Sequence, residues 1–495
     1  MKQVNSKLNI KKFLIIFMII QPIFDLKIFY NSISTLIRVI FISLFFLYYF
    51  IKSNNRKKYF LLIYPFLITI YFIFHHINAI SFHSFVPGNF NYSSISEALY
   101  FVKMICPFML IYSMYKANLS KNEFLFIIKV LALFISFIIV FSNLFLFSYG
   151  SYSDTKIKAN FFEWFNLKST YTYMDLASKG LFEFANQISA ILLMFLPYTI
   201  YLNIETKNKF NLIILCFNIF ALILLSTKVA VFGVLLIVIY TLLIYLIKNR
   251  RIKNISVISL ILLLYILLLP FNPSFSRIIE RKEVIEAASL AIIDAPSENT
   301  QTFVENYSTS LPEIQLQNKI SDNYKVNYIE NNYKDQKINE NFILNRYPYT
   351  YDADFWYDIL TNDYANKSDY RYLEQSMVKR VIEINNNKFD KFLGITYTRT
   401  QNIFNIEKDF VMQYYSLGII GLILFISPYF VILCYCFIKH LLNKFKNLQE
   451  YTILMSVTIC MIFVISYYSG NLLNSLSFTI YFALPFVVIL KNKYN

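Results

Sequence analysis

The stretch KFNLIILCFNIFALILLSTKVAVFGVLLIVIYTLLIYLIK, residues 209–248, is a long apolar block that is split only by Ser226, Thr227 and Lys228. One helix of this length would be too long for the hydrocarbon core of a bilayer, which is roughly 30 Å thick. The break between the two halves therefore predicts a tight hairpin that joins two membrane-spanning helices.

The composition extends this interpretation to the whole chain. Of its 495 residues, 57% are hydrophobic and 15% are charged. The apolar share is above, and the charged share is below, the values usual for soluble domains. We therefore expect an all-α, polytopic membrane protein.

Apolar runs long enough to cross a bilayer predict about twelve spanning helices. A large hydrophilic segment separates the ninth from the tenth, which divides the chain into an N-terminal bundle (1–272), a large loop (273–408) and C-terminal helices (409–495). The predicted spans are 12–29, 34–51, 59–80, 97–115, 124–147, 181–203, 210–226, 229–247, 254–272, 410–438, 451–469 and 475–490.

The positions of Lys and Arg beside the short loops predict the orientation. Both termini and every second loop carry these residues, as in residues 52–58 and 248–253, whereas residues 75–94 carry none. We therefore expect a cytoplasmic (inner or plasma) membrane location with both termini in the cytoplasm and the large loop outside. The net charge of +16 then largely reflects topology, and no nucleic-acid partner is expected.

Cysteine and histidine give no sign of a disulfide framework or a metal centre. All five cysteines lie in predicted membrane helices. His75, His76 and His83 cluster near the outer surface, where adjacent histidines are more often solvated than bound to zinc. No metal and no cofactor is predicted.

The large loop has a different character at its ends and in its middle. Residues 297–345 are polar with little periodicity, which predicts a mobile segment. Residues 275–293 and 370–384 have apolar residues at helical spacing, so each predicts a helix along the outer surface. A shorter outer loop, residues 149–180, completes this face.

Four cations from separate segments fall at one predicted depth near the outer leaflet. Taken singly, each has a simpler explanation: long side chains reach back to the membrane surface, or mark a turn. Taken together, they predict a basic pocket for a lipid-linked phosphate or pyrophosphate, which cations stabilise by charge-assisted hydrogen bonds. These residues are Arg38, Lys103, Lys228 and Arg277.

Two carboxylates, Glu407 and Asp409, stand at the start of the tenth span, at the same predicted depth as the cations. Either carboxylate is a candidate general base for an acceptor hydroxyl. The alternative is that both only cap the helix, whose N-terminal dipole stabilises negative charge. Gly418 and Gly421, further along, predict a close approach between helices.

Four stretches carry a resemblance to a known family: KGLFEFANQISAILLMFLP (179–197), LLSTKVAVFG (224–233), FLGITYT (392–398) and IEKDFVMQYYSLGIIG (406–421). They resemble segments of the bacterial O-antigen polymerase and O-antigen ligase proteins, which are integral membrane glycosyltransferases. The chain departs from the family pattern at three of these positions, where Gln187 replaces an acid and Ser226 and Thr396 each replace a glycine.

The resemblance implies a polymerase that joins undecaprenyl-pyrophosphate-linked repeat units into a surface polysaccharide, such as O-antigen, capsule or exopolysaccharide. The reaction would take place at the outer face of the cytoplasmic membrane, without a nucleotide sugar or metal. The substrate and membrane lipids are then the expected partners, and a flippase and a chain-length regulator are candidates. The resemblance also implies structural or substrate-lining roles for Gly180, Asn186, Thr227, Gly418 and Gly421.

Two alternatives remain at this stage. Ligases of this family usually have a His-Asn pair where Glu407 and Lys408 stand here, so the sequence favours a polymerase with Glu407 as the base. A ligase that transfers the glycan to another acceptor is the nearest alternative. A transporter of lipid-linked sugars is the second, although it would be expected to show internal repeats and charges around a central cavity.

Overall fold

Twelve long helices, which we label α1 to α12, make up most of the chain that the structure describes. The computed structural model describes residues 2–29, 32–83, 92–166, 170–206, 208–248, 252–279, 324–336, 338–362, 370–403, 406–445 and 448–491. The helices are α1 Lys2–Phe24, α2 Ser32–Lys52, α3 Ile63–Ile80, α4 Ser94–Lys116, α5 Lys121–Leu144, α6 Ala185–Thr206, α7 Lys209–Leu225, α8 Lys228–Lys248, α9 Ile252–Leu268, α10 Asp409–Leu442, α11 Glu450–Ser469 and α12 Leu476–Lys491.

Each predicted span corresponds to one of these helices, and the prediction of an all-α polytopic membrane bundle is confirmed. Within the described residues, eight helices are long and apolar enough to cross a membrane. The number is nine if the bent pair Ile255–Phe271 and Pro273–Ile279 forms one span. The helices α7 and α12 are apolar but shorter. The chain is therefore a multi-pass membrane protein.

The predicted hairpin in the long apolar block lies between α7 and α8. Ser226 adopts a left-handed conformation, with φ 51° and ψ 19°, and ends α7. The Thr227 hydroxyl oxygen accepts a hydrogen bond from the backbone N–H of Ala230 at 3.1 Å, which caps the start of α8. A glycine adopts the conformation of Ser226 without strain, which explains why a glycine suits this position in the family pattern.

The centre of the bundle is formed by α6 and α12. Nearly every side chain of these two helices is buried, including the short polar residues Ser189, Thr199 and Ser477. A helix that is apolar on all sides belongs in the interior, which is consistent with the placement of both. The helices α5, α7, α8 and α11 pack around α6, and α4 packs along α12.

The two ends of the bundle differ. At one end, Lys11 of α1 pairs with Glu123 at 2.7 Å, and Lys491 of α12 donates a hydrogen bond to the Leu119 carbonyl at 2.9 Å. We call this end, where both termini approach the α4–α5 connection, the terminal end. The opposite end carries the large loop, and we call it the loop end. The distribution of positive charge predicts that the terminal end is cytoplasmic.

The described part of the large loop is mostly helical and has its own apolar cluster. The cluster contains Trp356, Leu373 and Met377 from the loop together with Met412 of α10, so the loop packs on the start of that helix. The helical segments are Pro273–Ile279, 324–332, Asn341–Arg346, Ala353–Asn362, Tyr370–Asn385, Asp390–Leu393 and Tyr397–Ile403.

Two predictions for this loop can be compared with the structure. The helix predicted at 370–384 is present as Tyr370–Asn385. The predicted mobile segment, 297–345, is different: residues 324–332 are helical, and Ile329 and Phe342 are buried in the cluster. Aromatic side chains spaced along a polar sequence supply this cluster, which a search for regular periodicity does not detect. Residues 297–323, and 280–293 of the other predicted helix, lie outside the described residues.

Candidate active site

A basic group at the loop end surrounds the short outer loop that follows α5. Strand β1 (Tyr149–Gly150) pairs antiparallel with β2 (Ser178–Gly180), and this pairing positions the lysine in the middle of β2. Lys179 and Lys27 each contact the same carboxylate oxygen of Asp154 at 3.2 Å. The hydrogen bond from Lys27 and then that from Lys179 hold the pKa of Asp154 below its usual range.

Gly180 ends β2 with φ 68°, in the left-handed region. A Cβ at this position would lie 3.1 Å from the backbone of Ile139 on α5, so the strand approaches the helix closely. This contact holds Lys179 against the bundle, and the lysine side chain is almost completely buried.

Tyr152 of this outer loop contacts the segments that carry two of the four predicted cations, Arg277 and Lys228. The Arg277 guanidinium lies over the Tyr152 ring, 4.2 Å from its centroid. The Tyr152 hydroxyl in turn donates a hydrogen bond to the carbonyl of Ser226 in the α7–α8 hairpin. Lys228 is exposed and stands two residues beyond Ser226. Tyr152 thus contacts both Arg277 and the α7–α8 hairpin that carries Lys228, and it stands two residues before Asp154 in the outer loop.

The first turn of α6 connects this wall to the connection between α11 and α12. The Ser189 hydroxyl hydrogen-bonds to the Thr227 hydroxyl at 2.8 Å. On the other side, the Gln187 side chain donates to the carbonyl of Asn471 at 2.9 Å. Asn186, one residue before Gln187, is half-buried at the mouth of this turn. The position where the chain departs from the family pattern therefore has a structural partner in the 471 segment.

Asp409, which the sequence predicts as a catalytic residue, is completely buried and binds the same α11–α12 connection. Its carboxylate accepts hydrogen bonds from the backbone N–H groups of Leu472 and Leu473, both at 3.0 Å, and from the Asn474 side chain at 2.8 Å. With no exposed surface and with these donors in place, Asp409 links α10 to the α11–α12 connection.

Glu407 differs from Asp409 in both its exposure and its hydrogen-bond partners. Its side chain is 38% exposed, and its Oε2 accepts a hydrogen bond from Nε of Arg371 at 2.7 Å, with a second from Nη2. Arg371 also donates to the carbonyl of Tyr468 at 3.2 Å. A Cβ at Gly470 would fall on the carbonyl oxygen of Glu407, so the backbone fits tightly against the end of α11. Glu407 is thus held in one place while part of its carboxylate stays accessible.

Arg38, which the sequence predicts as a pyrophosphate ligand, lies in an internal network. Its guanidinium is 1% exposed, pairs with Asp25, and donates to the Gln21 side chain at 2.9 Å. Asp25 also accepts hydrogen bonds from Ser477 and, at 2.6 Å, from Tyr481 of α12. A buried charge needs such a partner, and this network ties α1 and α2 to α12.

Lys103 is half-buried on α4 and lines a narrow cavity with Tyr100, Leu473 and Asn474. It shares no contact with Arg277 or with the hairpin among the described residues. Tyr152 therefore contacts Arg277 and the hairpin that carries Lys228, whereas Arg38 is buried and Lys103 lies beside the α11–α12 connection.

The two glycines of the opening turns of α10 lie at close approaches, in agreement with the predicted packing role. Gly418 has φ 64° and ψ −174°, a break in the helix where the chain crosses residues 392–394. The crossing is held by hydrogen bonds from the N–H groups of Ile395 and Thr396 to the α10 backbone, both at 2.9 Å. Gly421 faces Tyr71, whose ring would overlap a Cβ at that position.

A buried hydrogen-bonded pair, His75 and Glu97, supports this crossing. His75 was expected to be solvated, but it is completely buried and hydrogen-bonds to Glu97 at 2.9 Å. Glu97 also accepts the backbone N–H groups of Tyr397 and Thr398 at 2.9 and 3.0 Å. This correction follows from the loop, which covers the outer end of α3 and removes His75 from water.

Comparison with known proteins now adds the family. The family model described as "O-antigen ligase like membrane protein" matches residues 7–492. The chain belongs to this family. A comparison with curated proteins and one with solved structures each find no match. Membership supports a membrane enzyme of glycan transfer, acting on a lipid-linked glycan, and leaves the choice between polymerase and ligase open.

Sequence reasoning did not assign Lys27, Lys179, Tyr152 or Arg371 to the site. Lys179 opens one of the four stretches that resemble the family, so its position was a usable signal. Arg371 stands on the polar face of a correctly predicted helix, but its partner is 36 residues away in sequence. Such pairings depend on how the loop folds back on the bundle, which periodicity does not report.

Proposed function

We propose that this protein is a polymerase that joins lipid-pyrophosphate-linked oligosaccharide repeat units at the outer face of the cytoplasmic membrane. The donor glycan loses its bond to the pyrophosphate of undecaprenyl pyrophosphate and forms a new bond to a sugar hydroxyl of a second lipid-linked unit. The product is a longer glycan on one lipid, and the other lipid pyrophosphate leaves.

The leaving pyrophosphate needs cations, and Arg277 and Lys228 beside the α7–α8 hairpin support this role, with the largely buried Lys179 paired to Asp154. Charge-assisted hydrogen bonds stabilise an anion best where several donors converge in a partly desolvated place. Lys27 adds a further positive charge beside Asp154. The N-terminal turn of α6 lies next to the hairpin, and its helix dipole also favours negative charge. Lys103, beside the α11–α12 connection, is a weaker candidate for binding the pyrophosphate.

In this proposal, Glu407 is the general base. Both hydrogen bonds from Arg371 end on Oε2, so Oε1 remains as a proton acceptor in the described contacts. As the acceptor hydroxyl attacks the anomeric carbon, its proton passes to this carboxylate while the bond to the phosphate oxygen breaks. Arg371 fixes the position of the carboxylate and is a positioning residue.

The identity of this residue favours a polymerase over a ligase. Glu407 and Lys408 stand where ligases resembling this chain have a His-Asn pair. The proposed general base and the proposed pyrophosphate-binding cations also gather at the loop end, which supports transfer at a surface over transport through a central cavity.

The direct test uses the purified protein in vesicles with a purified lipid-linked repeat unit as the sole substrate. A polymerase is expected to produce a ladder of glycans that differ by one repeat, with release of lipid pyrophosphate. If a ladder never forms, but glycan moves to a lipid or protein acceptor added separately, the protein is a ligase. Release of neither product, with movement of the lipid-linked unit between leaflets, would indicate a transporter.

A further inference from the structure

A cavity of about 780 Å³ lies at the terminal end of the bundle, on the opposite side from the candidate active site. It is formed where the ends of α4, α5, α10, α11 and α12 meet. Its volume falls within the range of small-ligand sites, which is about 300–1,000 Å³. The catalytic proposal does not use this cavity.

Four lysines from four different helices line it. They are the last residue of α4, the first of α5, one in the last turn of α10 and the last of α12: Lys116, Lys121, Lys439 and Lys491. None of the described lining residues is acidic. Two acids stand next to lining residues in the sequence: Glu123, which pairs with Lys11 at 2.7 Å, and Glu450, between Gln449 and Tyr451. Positive charge therefore predominates in the cavity.

Two of these lysines are held in place by the protein. Lys121 lies over the Tyr451 ring, 4.7 Å from its centroid, and donates a hydrogen bond to the Tyr201 hydroxyl at 2.9 Å. Lys491 donates to the Leu119 carbonyl at 2.9 Å. Side chains that are already ordered lose less entropy when they bind a ligand.

The general bias of positive charge toward one side of a membrane does not require this arrangement. That bias is satisfied by exposed cations in the connections, such as Arg56 and Lys57. Here the cations converge on a cavity whose wall also contains the apolar side chains of Phe124, Leu125 and Leu490. A basic pocket between membrane helices with an apolar wall suits a phosphate that is attached to acyl chains.

We infer that this cavity binds the phosphate headgroup of an anionic membrane lipid from the leaflet at the terminal end. The lysines would contact the phosphate oxygens, and the apolar wall would receive the start of the acyl chains. The shared chemistry is a phosphate anion, and the source that the apolar wall favours is a lipid over free phosphate. This site is separate from the proposed polymerase site at the loop end.

The test is lipid retention by the purified full-length protein, measured by native mass spectrometry during titration with phosphatidylglycerol or phosphatidylcholine. We expect the wild type to retain phosphatidylglycerol preferentially, and Lys116→Gln/Lys439→Gln to weaken its retention by about tenfold or more. The matched control, Arg56→Gln/Lys57→Gln, removes two charges from an exposed connection at the same end. It should retain the lipid as the wild type does.

Equal retention by the cavity variant and the control would overturn the inference. Displacement of the lipid by inorganic phosphate would also overturn it, because the site would then recognise a free anion. If the double variant is not monodisperse in size-exclusion chromatography, Lys116→Gln alone gives the same comparison. Its side chain stands at a helix end, and its loss should still reduce retention severalfold.

Discussion

Two groups of paired charges lie at the loop end, and they differ in burial. In the first, Arg38 and Asp25 are 1% and 4% exposed and pair with each other. In the second, Lys27 is 29% exposed and meets an Asp154 that is 74% exposed, while Lys179, on the same carboxylate, is 6% exposed. Both contain cations at the depth where a lipid pyrophosphate is expected. Burial decides which group has surface left for a ligand.

The same contrast separates two carboxylates that are two residues apart. Asp409 is enclosed by the α11–α12 connection, whereas Glu407 is held from one side by Arg371. Charge and depth were equal in the sequence, so neither distinguished them. An ionisable residue in a membrane bundle can therefore bind a substrate or hold two helices together, and its partners decide which.

The largest effect on activity is expected from Glu407→Gln. The amide keeps the shape and still accepts a hydrogen bond from Arg371, but it no longer takes a proton. Loss of a general base typically costs about a hundred- to ten-thousandfold in rate. Polymer formed from purified lipid-linked units, at equal protein in vesicles, measures this. Near wild-type activity would return Glu407 to a helix-capping role, since capping and dipole effects are worth only about 1 kcal/mol.

The internal network should respond through stability. Arg38→Leu leaves Asp25 buried without its cation, which typically costs about 3–5 kcal/mol. The expected result is a lower thermal unfolding temperature in detergent and less protein in the membrane. The double variant Arg38→Leu/Asp25→Leu removes both charges and should recover part of the loss. A single variant that is stable but inactive would instead restore Arg38 as a ligand of the pyrophosphate.

The fold was predictable to a large extent because hydrophobic length and charge bias depend on local sequence. The twelve helices that match the predicted spans, the hairpin at Ser226 and the helix at Tyr370–Asn385 are all of this kind. The cluster around Trp356 was not predicted, because it collects aromatic side chains from several segments of an otherwise polar loop.

The position of the candidate residues along the bundle was predictable, whereas their partners were not, and their roles stay predictions. The sequence placed Lys228, Arg277 and Glu407 at one end of the bundle, but the partners that define their surroundings come from distant segments. Asp25 was a usable signal, since an acid inside the first apolar run needs a cation nearby, and Arg38 is 13 residues away. No comparable signal in the sequence indicated that the backbone of Leu472 and Leu473 binds Asp409.

The two cations beside the hairpin, the exposed Lys228 and the half-buried Arg277, should affect activity with little change in stability. Arg277→Ala or Lys228→Gln removes one charge-assisted contact to the leaving pyrophosphate, worth about 1.5–3 kcal/mol, or roughly ten- to a hundredfold in rate. The matched control is Lys158→Gln, a lysine of the same outer loop that pairs with Asp175 at 2.9 Å and is largely exposed. Normal polymer from both test variants would leave the pyrophosphate without the proposed ligands.

The smallest expected effect concerns Arg371, which acts through Glu407. Arg371→Gln removes its ion pair with the carboxylate but leaves the proposed base in place, so we expect a loss of about tenfold in kcat, the size of one hydrogen bond to a charged group, with little change in KM. Arg371→Lys keeps the charge but not the two-pronged geometry and should restore only part of the rate. The control is Arg380→Gln on the same helix, because Arg380 binds Asp352 at 2.8 Å inside the loop. That variant should lower the stability of the loop and leave kcat of the folded protein near the wild-type value. If Arg371→Gln and Arg380→Gln lose stability equally and keep the same kcat, both arginines only hold the loop together, and the position of Glu407 does not depend on Arg371.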